Sequence, residues 1–280
     1  MSGILYVVGT PIGNLSDITQ RQLEILGSVD FIAAEDTRVT RGLLTHFDLH
    51  TPLVSYHEHS PAAVITRITE RLLAGESCAV VTDAGMPCIS DPGSLLVQRA
   101  ITEQISVRVI PGPSAVISAL AVSGQDTGRF CFEGFLSVNK KQRREHLDSL
   151  RTEQRTMIFY EAPHKLLQTL RDMLEAFGDR SVTLCRELTK IHEEVTKTTL
   201  AEAEAYYTQN APRGEFVLVL AGAACTGDAE APNLETVVRA AKQRIAAGER
   251  AADVCRELAA ETGFQKRTLY QAVLSSDETS

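Results

Sequence analysis

The sequence predicts an α/β protein with a mostly parallel N-terminal sheet, a second, mixed sheet and a small helical unit at the C-terminal end. Three observations predict it. Over the first 120 residues, short β-rich runs alternate with stretches of helical length, which is the pattern of βαβ units and a parallel sheet. Past residue 127, the extended runs 181–186 and 193–197 follow one another with no helix between them, so that sheet should contain antiparallel pairs. From residue 234 onward the pattern is helical. The expected units are therefore 1–126, 127–222 and 234–280, in keeping with a 280-residue length that exceeds the usual single domain.

In order, strands are expected at 4–8, 31–34, 53–55, 78–82 and 107–110, with helices between them such as 61–74 and 93–103. The second unit should supply strands at 130–133, 156–160, 181–186, 193–197 and 215–220 and helices near 140–154 and 164–177. Residues 222–233, small and polar, read as a linker. After it, 251–260, a turn at Thr262-Gly263 and 265–274 make a helix–turn–helix whose second helix carries Lys266 and Arg267. A plain helical hairpin and a nucleic-acid reader fit that pattern equally.

Composition narrows the function. No apolar run reaches the roughly 18 residues of a membrane helix. The start of the chain lacks the basic and long apolar stretches of a signal peptide, so a cytoplasmic protein is expected. Six scattered cysteines, with no CxxC pair and no Cys/His spacing, read as free thiols. His57 and His59 lack a visible third ligand, so no metal is expected. A net charge of −8 argues mildly against nucleic-acid binding. Charge is patchy, however. Val138 to Arg144 reads V-N-K-K-Q-R-R, and 233–274 holds seven Lys/Arg against five Asp/Glu. Such patches serve equally as solvated helix faces.

Each N-terminal strand runs into a loop rich in Gly, Pro, Asp or Thr, and in open α/β sheets ligands bind where such loops gather. The first, V-G-T-P-I-G-N-L (8–15), fails both the dinucleotide and the P-loop spacing, and fits a tight turn or a backbone cradle. The second, A-A-E-D-T-R (33–38), puts Glu35, Asp36 and Arg38 past strand two, either as a helix cap with a surface ion pair or as a grip on a substrate hydroxyl. The third, V-V-T-D-A-G-M-P-C-I-S-D-P-G (80–93), is long enough to suggest function, with Asp83 placed to accept ligand hydrogen bonds. The fourth, V-I-P-G-P-S-A (109–115), presents a helix N-terminus suited to a carboxylate. In the second unit, I-F-Y-E-A-P-H-K (158–165) gathers Tyr160, Glu161, His164 and Lys165, and C-R-E-L-T-K (185–190) gathers Arg186, Glu187 and Lys190. His164 fits a helix start as well as a base. Four irregular loops on one sheet edge argue for a small-molecule pocket.

Taken in order, G-T-P-I-G-N-L, E-D-T-R, T-D-A-G-M-P-x-I-S-D-P-G, P-G-P-S-A, F-x-G-F-L and F-Y-E-A-P-H-K closely resemble the ribosomal RNA small subunit methyltransferase I family of the tetrapyrrole methylase superfamily. The resemblance runs from about residue 4 to 222, with a tail like the family's appended helices. It implies two α/β domains of tetrapyrrole-methylase type around an S-adenosylmethionine pocket. The implied reaction is 2′-O-methylation of a cytidine ribose in the decoding region of 16S rRNA. By motif, it assigns the cofactor to Thr10, Pro11, Asp83, Met86, Ser114, Ala115, Tyr160 and Leu188. The implied partners are 16S ribosomal RNA or the small ribosomal subunit and a second copy of the chain as homodimer, with no membrane.

A ribose hydroxyl is a weak nucleophile, and a positioned acceptor for its proton is worth roughly 10²–10⁴-fold. Loop position nominates Glu35 or Glu161 for that role, with Arg38 and Lys165 on phosphate and Lys140, Lys141, Arg143 and Arg144 gripping the RNA backbone. Two other readings stand beside this one. The first is methylation of a tetrapyrrole precursor, and the second is a ligand-sensing regulator that binds nucleic acid through its tail.

Overall fold

A computed structural model describes residues 2–224, 234–247, 249–262 and 264–275. Most of the expected linker (225–233, with Cys225) and Gly263 of the expected turn lie outside these residues. The chain forms two compact units, Met1–Ala223 and Ala224–Ser280. The first contains both sheets.

The first sheet is built from β1 (Ile4–Val8), β2 (Phe31–Ala34), β3 (Leu53–Ser55), β4 (Cys78–Val81) and β5 (Ser106–Ile110), in the order β3-β2-β4-β1-β5. Every neighbouring pair is parallel. The sequence explains the order's centre. β2 and β4, F-I-A-A and C-A-V-V, are apolar and buried at every position, as strands covered on both faces must be. The helices α1 (Gln20–Ser28), α2 (Thr37–His46), α3 (Ala62–Leu73) and α4 (Ser94–Thr102) cover the faces and bury two apolar layers, one around Leu5, Phe31 and Val80, the other around Val8, Ile32 and Val81. Because all five strands point one way, the loops that follow them collect at one edge.

The next helix, α5 (Ala115–Ser123), joins the two sheets. Its sequence, A-V-I-S-A-L-A-V-S, is apolar almost all round. Val116, Ala119 and Leu120 pack on Ile158, Cys185, Val217 and Val219 of the second sheet, and the Thr183 hydroxyl donates to the Ser123 carbonyl at 2.9 Å. Burying these side chains at about 25 cal/mol per Å² couples the sheets into one unit.

The second sheet has β6 (Phe130–Phe135), β7 (Thr156–Glu161), β8 (Ser181–Arg186), β9 (Glu194–Thr199) and β10 (Phe216–Leu220) in the order β6-β7-β10-β8-β9. The pair β6–β7 is parallel and the other three pairs are antiparallel, so the sheet is mixed. The central β10, F-V-L-V-L, is buried at every residue, whereas the edge strand β9, E-V-T-K-T-T, is polar and exposed, which blunts edge pairing. Helices α6 (Lys140–Ser149), α7 (Pro163–Phe177) and α8 (Leu200–Gln209) lie around a core that includes Leu147, Phe159, Leu170, Leu200 and Leu218. The sequence suggests that α6 runs on to 154. It ends at Ser149 because Leu150 turns inward to be buried and the chain reverses to enter β7.

The C-terminal unit consists of α9 (Leu234–Ala246), α10 (Ala251–Thr262) and α11 (Lys266–Ser275). The three helices share a core of Val237, Ala241, Val254, Cys255, Leu269 and Val273. The expected helical pair is thus part of a three-helix unit with its own apolar centre.

Candidate functional site

Three of the four loops are fastened to one another at the first sheet's edge. Thr10 and Gly85 exchange backbone hydrogen bonds (2.9 and 3.1 Å), and the Thr10 hydroxyl donates to the Thr82 carbonyl at 3.1 Å. The Gly9 N–H reaches the Ile110 carbonyl at 3.1 Å. A side chain at Gly9 would meet the Gly112 backbone at 2.8 Å and the Met86 sulfur at 2.7 Å, so only glycine lets the loops after β1, β4 and β5 close up. Gln22 locks the arrangement from below. Its Oε1 accepts from the Thr19 N–H that caps α1, and its Nε2 donates to the Gly9 carbonyl at 2.6 Å, which satisfies a fully buried amide. The loop after β2 joins through Glu35, which accepts from the Thr82 hydroxyl at 2.6 Å, and through the Asp36 N–H, which donates to Asp83 at 3.1 Å.

Above this edge lies a cavity of about 520 Å³, closed on its far side by the second sheet. Its apolar wall comes from Ile12, Met86, Ala115, Phe135, Tyr160 and Leu188. Phe135 reaches it because the ladder between β6 and β7 slips by one residue between Phe132 and Gly134, a bulge in which Gly134 adopts φ 66° and re-aims the strand end. Phe135 and Phe132 pack against Tyr160 with ring centroids 5.4 and 4.9 Å away. Burial pushes the Tyr160 hydroxyl up to about 12, so it stays protonated. Two helices begin at the rim without a side-chain cap, α5 after Ser114 and α7 after Ala162. The start of α5 turns the positive end of its dipole to the cavity, with the Val116 N–H facing the Tyr160 hydroxyl, whereas α7 opens on Pro163, which has no N–H, and the Ala162 N–H is taken by Glu161. Among the described residues, Asp91, Glu161 and Glu215 are the acids in the lining, and no Lys or Arg lines it. Apolar aromatic walls, a helix N-terminus and carboxylates without a cation fit a nucleoside that bears both a carboxylate and a positive sulfonium centre, so the residues present suit S-adenosylmethionine.

Of the residues assigned to the cofactor from the sequence, Met86, Ser114, Ala115, Tyr160 and Leu188 line this cavity. Thr10, Pro11 and Asp83 do not; they line a small neighbouring cleft of about 160 Å³ with Thr40 and Leu43. Thr10 and Pro11 are buried, and Thr10 acts by holding the Gly85 turn. Burial pushes the Asp83 carboxyl up, against the hydrogen bond from the Asp36 N–H. Phe135, Ile12 and Asp91 were missed as site residues. The bulge-forming glycine of F-x-G-F-L and the second acid of the long loop were the available signals.

The nominated proton acceptors have other partners. Glu161 is 3% exposed; its carboxylate accepts from the Ala162 N–H at 2.9 Å and from the Thr169 hydroxyl. Thr169 in turn accepts from Arg143 at 2.8 Å, and Arg143 also pairs with Asp172 at 2.5 Å. Glu161 and Arg143, expected respectively at the chemistry and on RNA, therefore belong to one internal network that fixes α6 and α7 beneath β7. Arg143 is 7% exposed, so its side chain is not free to meet a phosphate. Glu35 lies outside the lining of the main cavity and holds Thr82. Arg38 is 90% exposed and pairs with Asp36, which caps α2 through the Arg38 N–H; hydrogen bonds from Arg38 hold the Asp36 carboxyl down at about 2. Lys140 and Lys141 are exposed, Arg144 pairs with Glu175 at the surface, and Lys165 is half-buried in the first turn of α7.

A family model of tetrapyrrole (corrin/porphyrin) methylases matches residues 4–204. Over 273 residues the chain is 48% identical to ribosomal RNA small subunit methyltransferase I of Synechocystis sp., spanning 97% of this chain and 98% of the relative. It is also 48% identical over 220 residues to the protein of that name from Thermotoga maritima, covering 79% of this chain and 99% of the relative, a match about as long as the first unit alone. Among solved structures, the methyltransferase CobJ aligns with a TM-score of 0.60 at 22% identity, over 80% of this chain and 95% of that one, a likeness of fold.

Proposed function

Since this chain belongs to the tetrapyrrole methylase family, within it to the ribosomal RNA small subunit methyltransferase I family, and is thus a methyltransferase, we propose that it moves a methyl group from S-adenosylmethionine to the ribose 2′-oxygen of a cytidine in the decoding region of 16S rRNA. The single observation that carries this reading is the main cavity, apolar and aromatic on its walls, acidic in its charge and faced by the uncapped start of α5.

Bound there, the cofactor supplies a methyl group already activated by its positive sulfur. The residues of the chain bind and orient. Tyr160, Phe135, Ile12 and Leu188 offer flat apolar contact to a purine, while Ser114 and the N–H groups opening α5 offer donors to the amino-acid end. The loop clasp of Thr10, Gly85 and Gly9 holds the floor rigid, and rigidity is what alignment of donor and acceptor demands. Glu35 and Glu161 act as positioning residues, the first through Thr82 and the second through the start of α7. For the substrate backbone we assign Lys140, Lys141 and Arg144 on α6, with Arg38 and Lys165 nearer the loops. A pairing of two copies in solution and a cytoplasmic place of action belong to the same reading.

The test is transfer of labelled methyl groups to naked 16S rRNA, to assembled small subunits and to a uroporphyrin-type macrocycle, followed by mapping of ribose methylation. Label on the 2′-oxygen of one decoding-region cytidine is expected. Label on the macrocycle alone would overturn the proposal.

A further inference from the structure

A second cavity, of about 380 Å³, adjoins the first and is lined by Tyr56, His57, Glu58, Ser60, Ser94 and their neighbours. Ser90 and Asp91 belong to both linings, so the two spaces meet at this pair of residues. The pair sits on a constrained turn. Cys88 and Ser90 adopt φ of 72° and 61°, unusual for residues other than glycine, and the Cys88 N–H closes the turn on the Pro92 carbonyl at 3.2 Å. Gly93, at φ 137°, leaves room for the Cys88 sulfur, which a side chain there would meet at 2.6 Å. Such a turn fixes where the Asp91 carboxylate lies, which a flexible loop would not do.

The chemistry of the second cavity selects its occupant. Its polar groups are hydroxyls, an imidazole and the carboxylates of Glu58 and Asp91, and among the described residues no Lys or Arg lines it. The one positive end there is the uncapped start of α4 at Gly93 and Ser94, and the carboxylates of Glu58 and Asp91 oppose a phosphate beside it. A ribonucleoside fits, because its hydroxyls and any exocyclic amine are donors that carboxylates accept. We infer that this second cavity seats the acceptor nucleoside, turned out of its RNA strand, and that Asp91, on the wall shared with the cofactor cavity, takes the proton of the ribose hydroxyl. The inference rests on the proposed methyl transfer to ribose and names the group that touches the reacting oxygen. In the step, the hydroxyl O–H bond breaks and its proton goes to an Asp91 oxygen. The freed oxygen pair forms the C–O bond to the methyl carbon, whose bond to sulfur breaks with the electron pair staying on sulfur.

The surroundings of Asp91 agree. Burial pushes its carboxyl up to about 6, with Glu35 at the end of β2 and Asp83 at the end of β4 adding to the rise and the Thr82 hydroxyl opposing it. Tyr160 of β7 and Cys88 of the same loop feel its charge, and His57 and Glu58 line the same cavity. A base ionising near 6 is charged at neutral pH yet binds a proton more readily than an ordinary Asp.

The test uses the full chain as wild type, Asp91→Asn and Ser94→Trp, the last placed to fill the second cavity only. Methylation of small subunits is measured from pH 5 to 8.5, with subunit binding and S-adenosylhomocysteine binding measured separately. The wild-type rate should rise through about pH 6 and level off. D91N should lose at least about 100-fold in turnover and lose that rise. S94W should bind subunits at least about tenfold more weakly while its S-adenosylhomocysteine affinity stays within about threefold. A folded D91N within threefold of wild type at every pH would overturn the assignment of Asp91. Unchanged subunit affinity in S94W would overturn the assignment of the cavity. Wild type that binds no cofactor, or modifies no ribose, would instead overturn the proposed function itself.

Discussion

The 82–93 loop and the start of α6 both stand out in the sequence, one for its Gly, Pro and Asp, the other for K-K-Q-R-R, and the structure uses them in opposite ways. The loop ends a buried strand, twists through left-handed turns at Gly85, Cys88, Ser90 and Gly93, and leaves Asp91 exposed to two cavities. The start of α6 carries four cations, yet its most central one, Arg143, is turned inward onto Asp172 and Thr169. A charge in a sequence says only that a partner is needed. Whether the partner is a ligand or another part of the chain depends on what the fold brings opposite it.

The largest effect should come from breaking the internal partnership. Arg143→Ala leaves Asp172 and the Thr169–Glu161 pair without their cation, and should cost about 3–5 kcal/mol of stability, read as a large drop in urea midpoint. A loss under 1 kcal/mol would return Arg143 to the RNA-facing set. Next, Gly9→Ala presses a methyl group into the Gly112 backbone and Met86, and should cost about 1–3 kcal/mol while weakening S-adenosylhomocysteine binding at least tenfold. Unchanged binding would mean that the loops do not depend on their close approach.

A smaller effect of opposite sign is expected at Asp91. Its carboxyl ionises near 6 in the fold against 3.8 ordinarily, so the folded chain holds the proton more tightly than the unfolded chain. The cost to stability is absent below pH 4, grows between 4 and 6, and is full above. D91N should therefore melt a few degrees higher than wild type at pH 7.5, about 1 kcal/mol after allowance for its partial exposure, and at nearly the same temperature at pH 4. A destabilised D91N at pH 7.5 would contradict the burial cost assigned to the Asp91 carboxylate. The smallest effect on the fold belongs to Lys140 and Lys141. Changing both to Ala should leave stability within about 0.5 kcal/mol, yet lower the salt dependence of RNA binding by one to two units of slope. An unaltered slope would remove α6 from the RNA surface.

Much of the fold was legible because it rests on local signals. Continuous apolar runs such as C-A-V-V and F-V-L-V-L marked strands, and the adjacency of 181–186 and 193–197 marked antiparallel pairing in the second sheet. The loops of the site were equally visible, since Gly, Pro and Asp after a strand announce irregular backbone. What escaped the sequence was pairing at a distance. Thr10 and Pro11 were assigned to the cofactor by motif, but the neighbour of Thr10 is Gly85, 75 residues along, and its work is to hold that turn. Glu161 sits at the chemically suggestive end of β7, but Thr169, one helical face further on, claims its oxygen. Asp91 was passed over because nothing local separates it from Asp83; only the sheet edge shows that one faces a small cleft and the other two cavities.

The central claim is that loops from the first sheet and strand ends from the second form one seat for a sulfonium nucleoside. Titration calorimetry of S-adenosylhomocysteine onto the wild-type chain and onto Ala115→Trp, whose indole would fill that seat at the start of α5, tests it most directly. One site per chain in the wild type, and at least a hundredfold weaker binding in a variant that still melts cooperatively, is the expected result. Equal binding by both chains, or no heat from the wild type, would contradict it.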